Sequence, residues 1–150
     1  MLILFHQNQS VHPSKLTRDE MLELHDVLLE GSHNFIQWLF PLPEPSKAQP
    51  SSPVATLADY AFLRTPEGQA SLLRCLTRMV HFWRRTNDRW RFNNHNHLRI
   101  TRAIRCLMLS DLPVEAQALF TEAQTWGVHN SNVVKFWQAA LMSDLRTLEV

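Results

Sequence analysis

Apolar side chains recur every three or four residues along most of this sequence of 150 residues. That spacing places them on one face of an α-helix, whereas a half-buried strand would alternate apolar and polar residues. No stretch shows sustained alternation, and no Asn-Gly or Asp-Gly pair marks a hairpin turn. The pattern therefore predicts an all-α fold, a single compact orthogonal helical domain of about six or seven helices.

The first long helix is predicted to begin after Thr17, which opens the capping box Thr17-Arg18-Asp19-Glu20. In such a box the Thr hydroxyl and the Glu carboxylate each bind an otherwise unsatisfied backbone amide. Met21, Leu24 and Leu28 would form the apolar stripe of this helix. Gly31 would end it in the left-handed conformation, and Ser32 would cap the next helix, running to about Phe40.

A Pro-rich loop, residues 41–54, then interrupts the helical pattern. Its five prolines stop any helix, and a loop of this length inside a small domain is usually functional or mobile, so we expect a rim or a lid. The segment from Arg84 to Asn94 is predicted to be a second loop. Five further helices are predicted, from about Thr56 to Arg64, from Thr65 to Trp83, from His95 to the residue before Pro113, from Pro113 to Trp126, and from Ser131 or Asn132 onward. Gly127 would stop the fourth of these. The fifth would bury Val133, Phe136, Trp137, Ala140 and Leu141.

Length, cysteines and the N-terminus restrict the class of protein. A chain of this length, 45% hydrophobic, can bury one core without disulfides or metal. Cys75 and Cys106 lie within apolar helical patterns, which favours buried free thiols over a disulfide. The apolar run from Met1 to Phe5 is too short for a signal peptide or a membrane span. We therefore expect a soluble, cytoplasmic protein.

The positive charge is concentrated in the middle of the chain. From Arg64 to Arg105 there are ten Arg, no Lys and two acids, Glu67 and Asp88, which gives +8 within a chain whose total is +1. Guanidinium groups match the geometry of phosphate and carboxylate, so this segment can present an anion-binding surface. The alternative is pairing within the chain, with acidic residues such as Asp19 and Asp26.

Two short constellations combine polar and aromatic residues. In the predicted helix from Ser32, the residues His33, Asn34 and Gln37 fall within one arc of about 100°, which indicates either a ligand site or a buried hydrogen-bond network. In the second, the start of the helix at His95 offers free amide groups, and Arg99 and Arg102 lie three residues apart on one side of that helix. A phosphate or carboxylate would fit there, unless both Arg bind backbone carbonyls or carboxylates of the first helix.

Sharper chemical interpretations fail on spacing. His95 and His97 are two residues apart, so a helix directs them about 200° away from each other, and no further pair completes a zinc set. The sequence contains no nucleophile elbow and no phosphate-binding glycine loop. It also contains no pair of carboxylates in an apolar setting that would suggest general acid–base catalysis. No catalytic motif, metal site or cofactor is predicted, and an enzyme is the less favoured class.

The string His33-Asn34-Phe35-Ile36-Gln37-Trp38-Leu39-Phe40-Pro41, followed by His95-Asn96-His97-Leu98-Arg99-Ile100-Thr101-Arg102, resembles the opioid growth factor receptor conserved region. The resemblance extends roughly from Phe5 to Leu141. It implies an all-α domain of undefined biochemical activity, which in animals forms the N-terminal part of a longer nuclear and membrane-associated receptor for the opioid peptide met-enkephalin. We expect a stand-alone, microbial member that lacks the repeat-bearing extension.

The resemblance also suggests that the two constellations form one polar pocket closed by the Pro-rich loop. In this prediction the domain is a binding module for a small anionic molecule or a peptide. Imidazole and amide groups would hydrogen-bond the ligand, Arg99 and Arg102 would hold its anionic group, and Trp38 would form an apolar wall. The predicted ligand-binding residues are His33, Asn34, Gln37, Trp38, His95, Asn96, Arg99 and Arg102.

Three other functions stay open on the sequence. Nucleic acid would bind through the Arg-rich segment 84–105, with Trp83, Trp90 and Phe92 stacking on bases. An enzyme would use His33 or His95 as its acid or base. In a structural or partner-docking domain, both constellations would only lock the core, and the functional contact would be with a protein partner.

Overall fold

A computed structural model describes residues 1–90, 94–126 and 130–148 of the chain. Over these residues the regular structure is helical and contains no strand, which confirms the all-α prediction. The helices are α1 Leu2–His6, α2 Arg18–Leu22, α3 Asp26–Gly31, α4 Ile36–Leu39, α5 Leu57–Leu63, α6 Pro66–Thr86, α7 His95–Leu109, α8 Pro113–Ala123 and α9 Ser131–Ala140, with short 3₁₀ turns at Asn87–Arg89 and Leu145–Leu148. The described part of the chain thus has nine α-helices rather than the six or seven predicted, because the first predicted helix is divided into α2 and α3 and because the sequence pattern does not predict α1.

The chain divides into two compact units, Met1–Arg78 and Met79–Val150, and α6 begins in the first and ends in the second. In the first unit, α1 packs against α4 and α5. The core of this unit includes Phe5, Trp38 and Tyr60, and the Phe5 and Trp38 rings meet edge to face with centroids 5.4 Å apart. Edge-to-face contact is a favoured arrangement for buried aromatic rings.

The predicted first long helix is wrong in one respect, because it is broken. Thr17 forms the expected capping box with Glu20, but α2 ends at Leu22 and α3 starts at Asp26. The Arg78 guanidinium donates to the Leu22 and Leu24 carbonyls at 2.8 and 2.7 Å. Arg78 of α6 therefore supplies hydrogen-bond donors to carbonyls that the break leaves without helical partners. This lowers the free-energy cost of the non-helical connection.

The end of α3 and the next helix also differ from the prediction. Gly31 is the last residue of α3 and does not adopt the left-handed conformation, and Leu28, expected in the buried stripe, is 50% exposed. The helix predicted from Ser32 is only the single turn Ile36–Leu39. The Pro-rich loop is non-helical, as predicted. A hydrogen bond of 2.9 Å from the Ala55 amide to the Leu42 carbonyl joins its two ends.

In the second unit, α7 packs against both α8 and α9. Trp83, Trp126 and Trp137 are buried, and the first two have ring centroids 6.0 Å apart. The predicted loop from Arg84 is wrong at its start, because α6 continues to Thr86 and a 3₁₀ turn follows. Polar side chains stabilise this extension: the Thr86 hydroxyl donates to the Phe82 carbonyl at 2.9 Å.

The last two helices deviate at particular residues. Helix α8 ends at Ala123 rather than at Trp126, and the stop expected at Gly127 lies outside the described residues. Helix α9 buries Val133, Trp137 and Ala140 as predicted. Phe136, predicted to be buried, is 63% exposed, which becomes important for the site described below. Cys75 and Cys106 are buried free thiols, as predicted.

Candidate functional site

The first constellation does not form the predicted polar arc of a helix. His33 and Asn34 precede α4 and are exposed, whereas Gln37 and Trp38 lie within it and are buried. The Gln37 amide group donates to the His33 carbonyl at 3.3 Å, and its buried Oε1 atom has no hydrogen-bond partner. Trp38 packs edge to face against the rings of Phe5 and His12, so this side chain is part of the core of the first unit.

Two histidines whose spacing predicts only a surface or core position, His6 and His12, bind the backbone of this constellation. The Trp38 carbonyl lies 2.9 Å from His6 Nε2, and because a carbonyl only accepts, Nε2 carries the proton. The Ser14 amide donates to His12 Nδ1, so His12 Nε2 donates to the Asn34 carbonyl at 2.6 Å. Neither histidine has a spacing that marks it in the sequence.

His6 continues into a buried chain of hydrogen bonds. Its Nδ1 atom accepts from the Ser71 hydroxyl at 2.6 Å, and the Ser71 oxygen in turn accepts from the Arg18 guanidinium at 2.9 Å. The Arg18 guanidinium also donates to the His6 carbonyl at 2.6 Å and pairs with Asp19 at 3.0 Å. Burial lowers the pKa of His6 to about 4, so the imidazole is neutral at physiological pH.

The second constellation is tied into the core of the second unit. Asn94 caps α7, its side-chain oxygen accepting from the Asn96 amide at 2.8 Å. The buried Asn96 side chain accepts from Trp83 Nε1 and from the Arg99 guanidinium, both at 3.1 Å. Arg99 is buried and Arg102 is half-buried. Arg99 therefore binds a side chain of its own helix, whereas the alternative considered from the sequence names backbone carbonyls or carboxylates of the first helix as partners.

A pocket of about 330 Å³ lies in the second unit, where the N-terminal ends of α7 and α9 meet. Its apolar lining includes Leu98 and Phe136, which are 71% and 63% exposed. Of the predicted ligand-binding residues, His95 lines this pocket. The described lining residues are Asn94, His95, His97, Leu98, Thr101, Asn130, Asn132, Val133 and Phe136.

His97 is the most unusual polar residue of this pocket. Its ring lies against Trp90 and Trp137, with centroids 5.6 and 6.0 Å away, and the residue is 5% exposed. Its buried Nε2 atom has no hydrogen-bond partner, and burial lowers the pKa of the imidazole. Most buried polar atoms in proteins are paired, so an unpaired one at a pocket invites a functional explanation. The sequence pattern marks His97 only as a candidate metal ligand, a role that its spacing from His95 disfavours.

Several of the central Arg residues are paired within the chain. In the first unit, Arg74 pairs with Asp19 at 3.1 Å and Arg78 with Asp26 at 2.9 Å. In the second unit, Arg84 makes two bonds to Glu122, which lowers the pKa of that carboxyl. These pairs are those of the intramolecular alternative, although Glu122 was not among the partners expected.

The aromatic residues predicted to stack on bases do not present free faces where the structure describes them. Trp83 is fully buried and Trp90 is 8% exposed. Phe92 lies outside the described residues. Nucleic-acid binding through segment 84–105 stays a prediction.

The two constellations belong to different units, the first to Met1–Arg78 and the second to Met79–Val150. A pocket shared by both stays a prediction, as does the single domain. Within the described residues, no three His, Cys, Asp or Glu side chains are placed to hold a metal ion together. In the same part of the chain, no helix is long and apolar enough to cross a membrane.

The chain is therefore a small helical protein with a buried histidine network in one unit and a pocket in the other. A sequence model described as "Opioid growth factor receptor (OGFr) conserved region" matches residues 2–87, more than half of the chain. The chain belongs to this family. The match includes the first constellation and ends before the second.

Curated relatives agree with this assignment. The opioid growth factor receptors of rat, mouse and human are each 35% identical to this chain over an alignment of 98 positions, and the alignment covers 53% of this chain. The chain covers only 17%, 16% and 14% of the length of those proteins, respectively. No solved structure gives a significant match.

Proposed function

We propose that this protein is a binding module whose ligand occupies the pocket between the N-terminal ends of α7 and α9. The observation that carries the proposal is a cavity of about 330 Å³ that combines exposed apolar side chains with hydrogen-bonding groups. Ligand pockets span roughly 300–1,000 Å³ and usually combine apolar walls with a few polar groups. The volume is near the lower limit, which favours a small molecule or one end of a peptide.

The polar groups of this pocket differ from those expected. Arg99 and Arg102 are not among its described lining residues, and its polar side chains are those of His, Asn and Thr. Arg99 instead binds Asn96 beneath the surface. The proposed ligand is still a small anionic molecule or a peptide, but uncharged side chains and backbone amides would recognise it.

The family membership supports binding in general terms. The relatives are named as receptors for a growth factor, which accords with a binding role. The pocket residues begin at Asn94, beyond residues 2–87, so the identity of the ligand is not transferred from the family. A cytoplasmic location is part of this proposal.

A thermal-shift screen of the full chain tests the proposal. The screen would contain small carboxylic acids, phosphorylated metabolites, short peptides and single-stranded oligonucleotides. We expect at least one compound of the first three classes to raise the melting temperature, because ligands that bind only the folded state stabilise it. The double variant Leu98→Ala/Phe136→Ala should fold normally, since both side chains are exposed, and should lose these shifts.

A matched control separates the pocket from the rest of the unit. Val114 on α8 is 75% exposed and does not line the pocket, so Val114→Ala should retain every shift. Shifts that persist in the double variant, or that only oligonucleotides produce, would overturn the proposal. A salt-sensitive shift with oligonucleotides would favour the Arg-rich segment instead.

A further inference from the structure

Two helices direct their N-terminal ends toward the same pocket. Helices α7 and α9 have 15 and 10 residues, and their N-cap residues, Asn94 and Asn130, both line the cavity. The first turn of a helix carries partial positive charge, which stabilises an anion even though Asn94 and Asn130 already accept from the Asn96 and Asn132 amides. None of the described lining residues is acidic, so nothing in that lining opposes a negative charge.

An independent observation points to the same ligand group. His97 lines the pocket, is 5% exposed, and keeps a buried ring nitrogen without a hydrogen-bond partner. An unsatisfied buried polar atom costs free energy, which a ligand atom placed within hydrogen-bond distance would recover. An imidazole N–H is a good donor to a carboxylate oxygen, and such charge-assisted bonds are stronger than neutral ones.

The rest of the lining specifies the body of the ligand. Leu98, Val133 and Phe136 supply apolar surface from the same two helices. On the basis of the proposed binding function, we infer that the pocket binds the carboxylate of an apolar acid, with the carboxylate toward His97 and the helix N-termini and the apolar group against Phe136. A free organic acid and the C-terminus of a peptide share this chemistry.

Matched acids and amides test this inference on the full chain by isothermal titration calorimetry. The small-molecule pair is 3-phenylpropionate and 3-phenylpropanamide, and the peptide pair is Ala-Ala-Phe with a free or an amidated C-terminus. We expect each acid that binds to do so at least about tenfold more tightly than its amide, a difference of about 1.4 kcal/mol. Tighter binding of 3-phenylpropionate would identify a free acid as the ligand class, and tighter binding of the peptide acid a peptide terminus.

Two results would overturn the inference. Equal affinity for acid and amide would show that the pocket binds ligands without recognising a carboxylate, which leaves the proposed binding function intact. No binding of either acid at millimolar concentration would exclude apolar carboxylates. The binding function itself is decided separately by the loss of thermal shifts in Leu98→Ala/Phe136→Ala.

A histidine variant tests the role of His97. In His97→Gln the preference for acid over amide should fall several-fold, whereas a purely structural role would weaken both ligands equally. His81→Gln is the matched control, because His81 is exposed and lies outside the described lining of the pocket. If His97→Gln does not fold, ¹⁵N NMR of the unaltered chain replaces it: the His97 ring resonances should shift with 3-phenylpropionate, and unchanged resonances would contradict the inference.

Discussion

Acid should destabilise the protein through His6. The imidazole donates to the Trp38 carbonyl and accepts from the Ser71 hydroxyl, and Arg18 lies beside it. A second proton on Nδ1 would remove the acceptor that Ser71 uses and would place a buried positive charge near the Arg18 guanidinium. Burial, followed by that neighbouring charge, therefore lowers the pKa of His6 to about 4, although the Trp38 carbonyl acts in the opposite direction.

The size and sign of the effect follow from the two pKa values. In the unfolded chain the pKa of His6 is 6.5, so His6 binds a proton below that pH. In the folded protein His6 binds this proton only below about pH 4. Stability is therefore lost as the pH falls from about 6.5 to about 4. The difference between these values, at 1.36 kcal/mol for each pH unit, amounts to about 3 kcal/mol. About 2 kcal/mol of this should be lost by about pH 5.

Urea unfolding of the unchanged chain and of His6→Gln, each at about pH 7.5 and about pH 5, measures the effect. Glutamine retains an N–H for the Trp38 carbonyl but cannot take up a proton. The difference in unfolding free energy between the two proteins should shrink by about 2 kcal/mol over this range. The contribution of His97 is common to both proteins and cancels. An exposed histidine, His25, supplies the control His25→Gln; identical pH dependence in all three proteins would refute the reasoning.

Three further predictions concern stability and reactivity. Gly68→Ala should unfold at a much lower urea concentration than Gly31→Ala. A Cβ atom at Gly68 would overlap the backbone of residues 62–63, whereas Gly31 has open space around it. Similar stability of the two variants would contradict this packing. Asn96→Ala should lower the free energy of unfolding by about 2–4 kcal/mol, because it removes the acceptor of two buried donors. Arg84→Ala breaks an exposed ion pair and should lower the free energy of unfolding by less than about 1 kcal/mol in the same assay. Burial raises the pKa of the Cys106 thiol to about 12, so a thiol reagent should modify it only after unfolding, and rapid labelling of the native protein would show otherwise.

The parts of the fold that the sequence predicts well are those set by neighbouring residues. Thr17 and Thr56 both form capping boxes, because each partner lies three residues along the chain. The break between α2 and α3 depends on Arg78, more than fifty residues away, whose bonds to carbonyls no local pattern reveals. The short α4 has a similar cause, since His12 binds the Asn34 carbonyl that a longer helix would have used.

The candidate site shows the same division. The sequence drew attention to the start of α7, and His95 does line a pocket there. It did not indicate the other wall, because Val133 and Phe136 belong to a helix that meets α7 only in three dimensions. Phe136 matched the helical spacing of a core residue, and spacing alone does not distinguish a core face from the wall of an open cavity.

The most direct test of the binding function is a methyl NMR titration of the full chain, ¹³C-labelled at Leu and Val, with a mixed set of small aromatic acids, their amides and short peptides. At least one ligand should shift the Leu98 and Val133 methyl resonances together and saturably, while those of Val114 stay in place. Ligands that move only resonances outside the pocket, or a set in which no ligand moves Leu98 and Val133, would contradict the proposal that this pocket is the functional site.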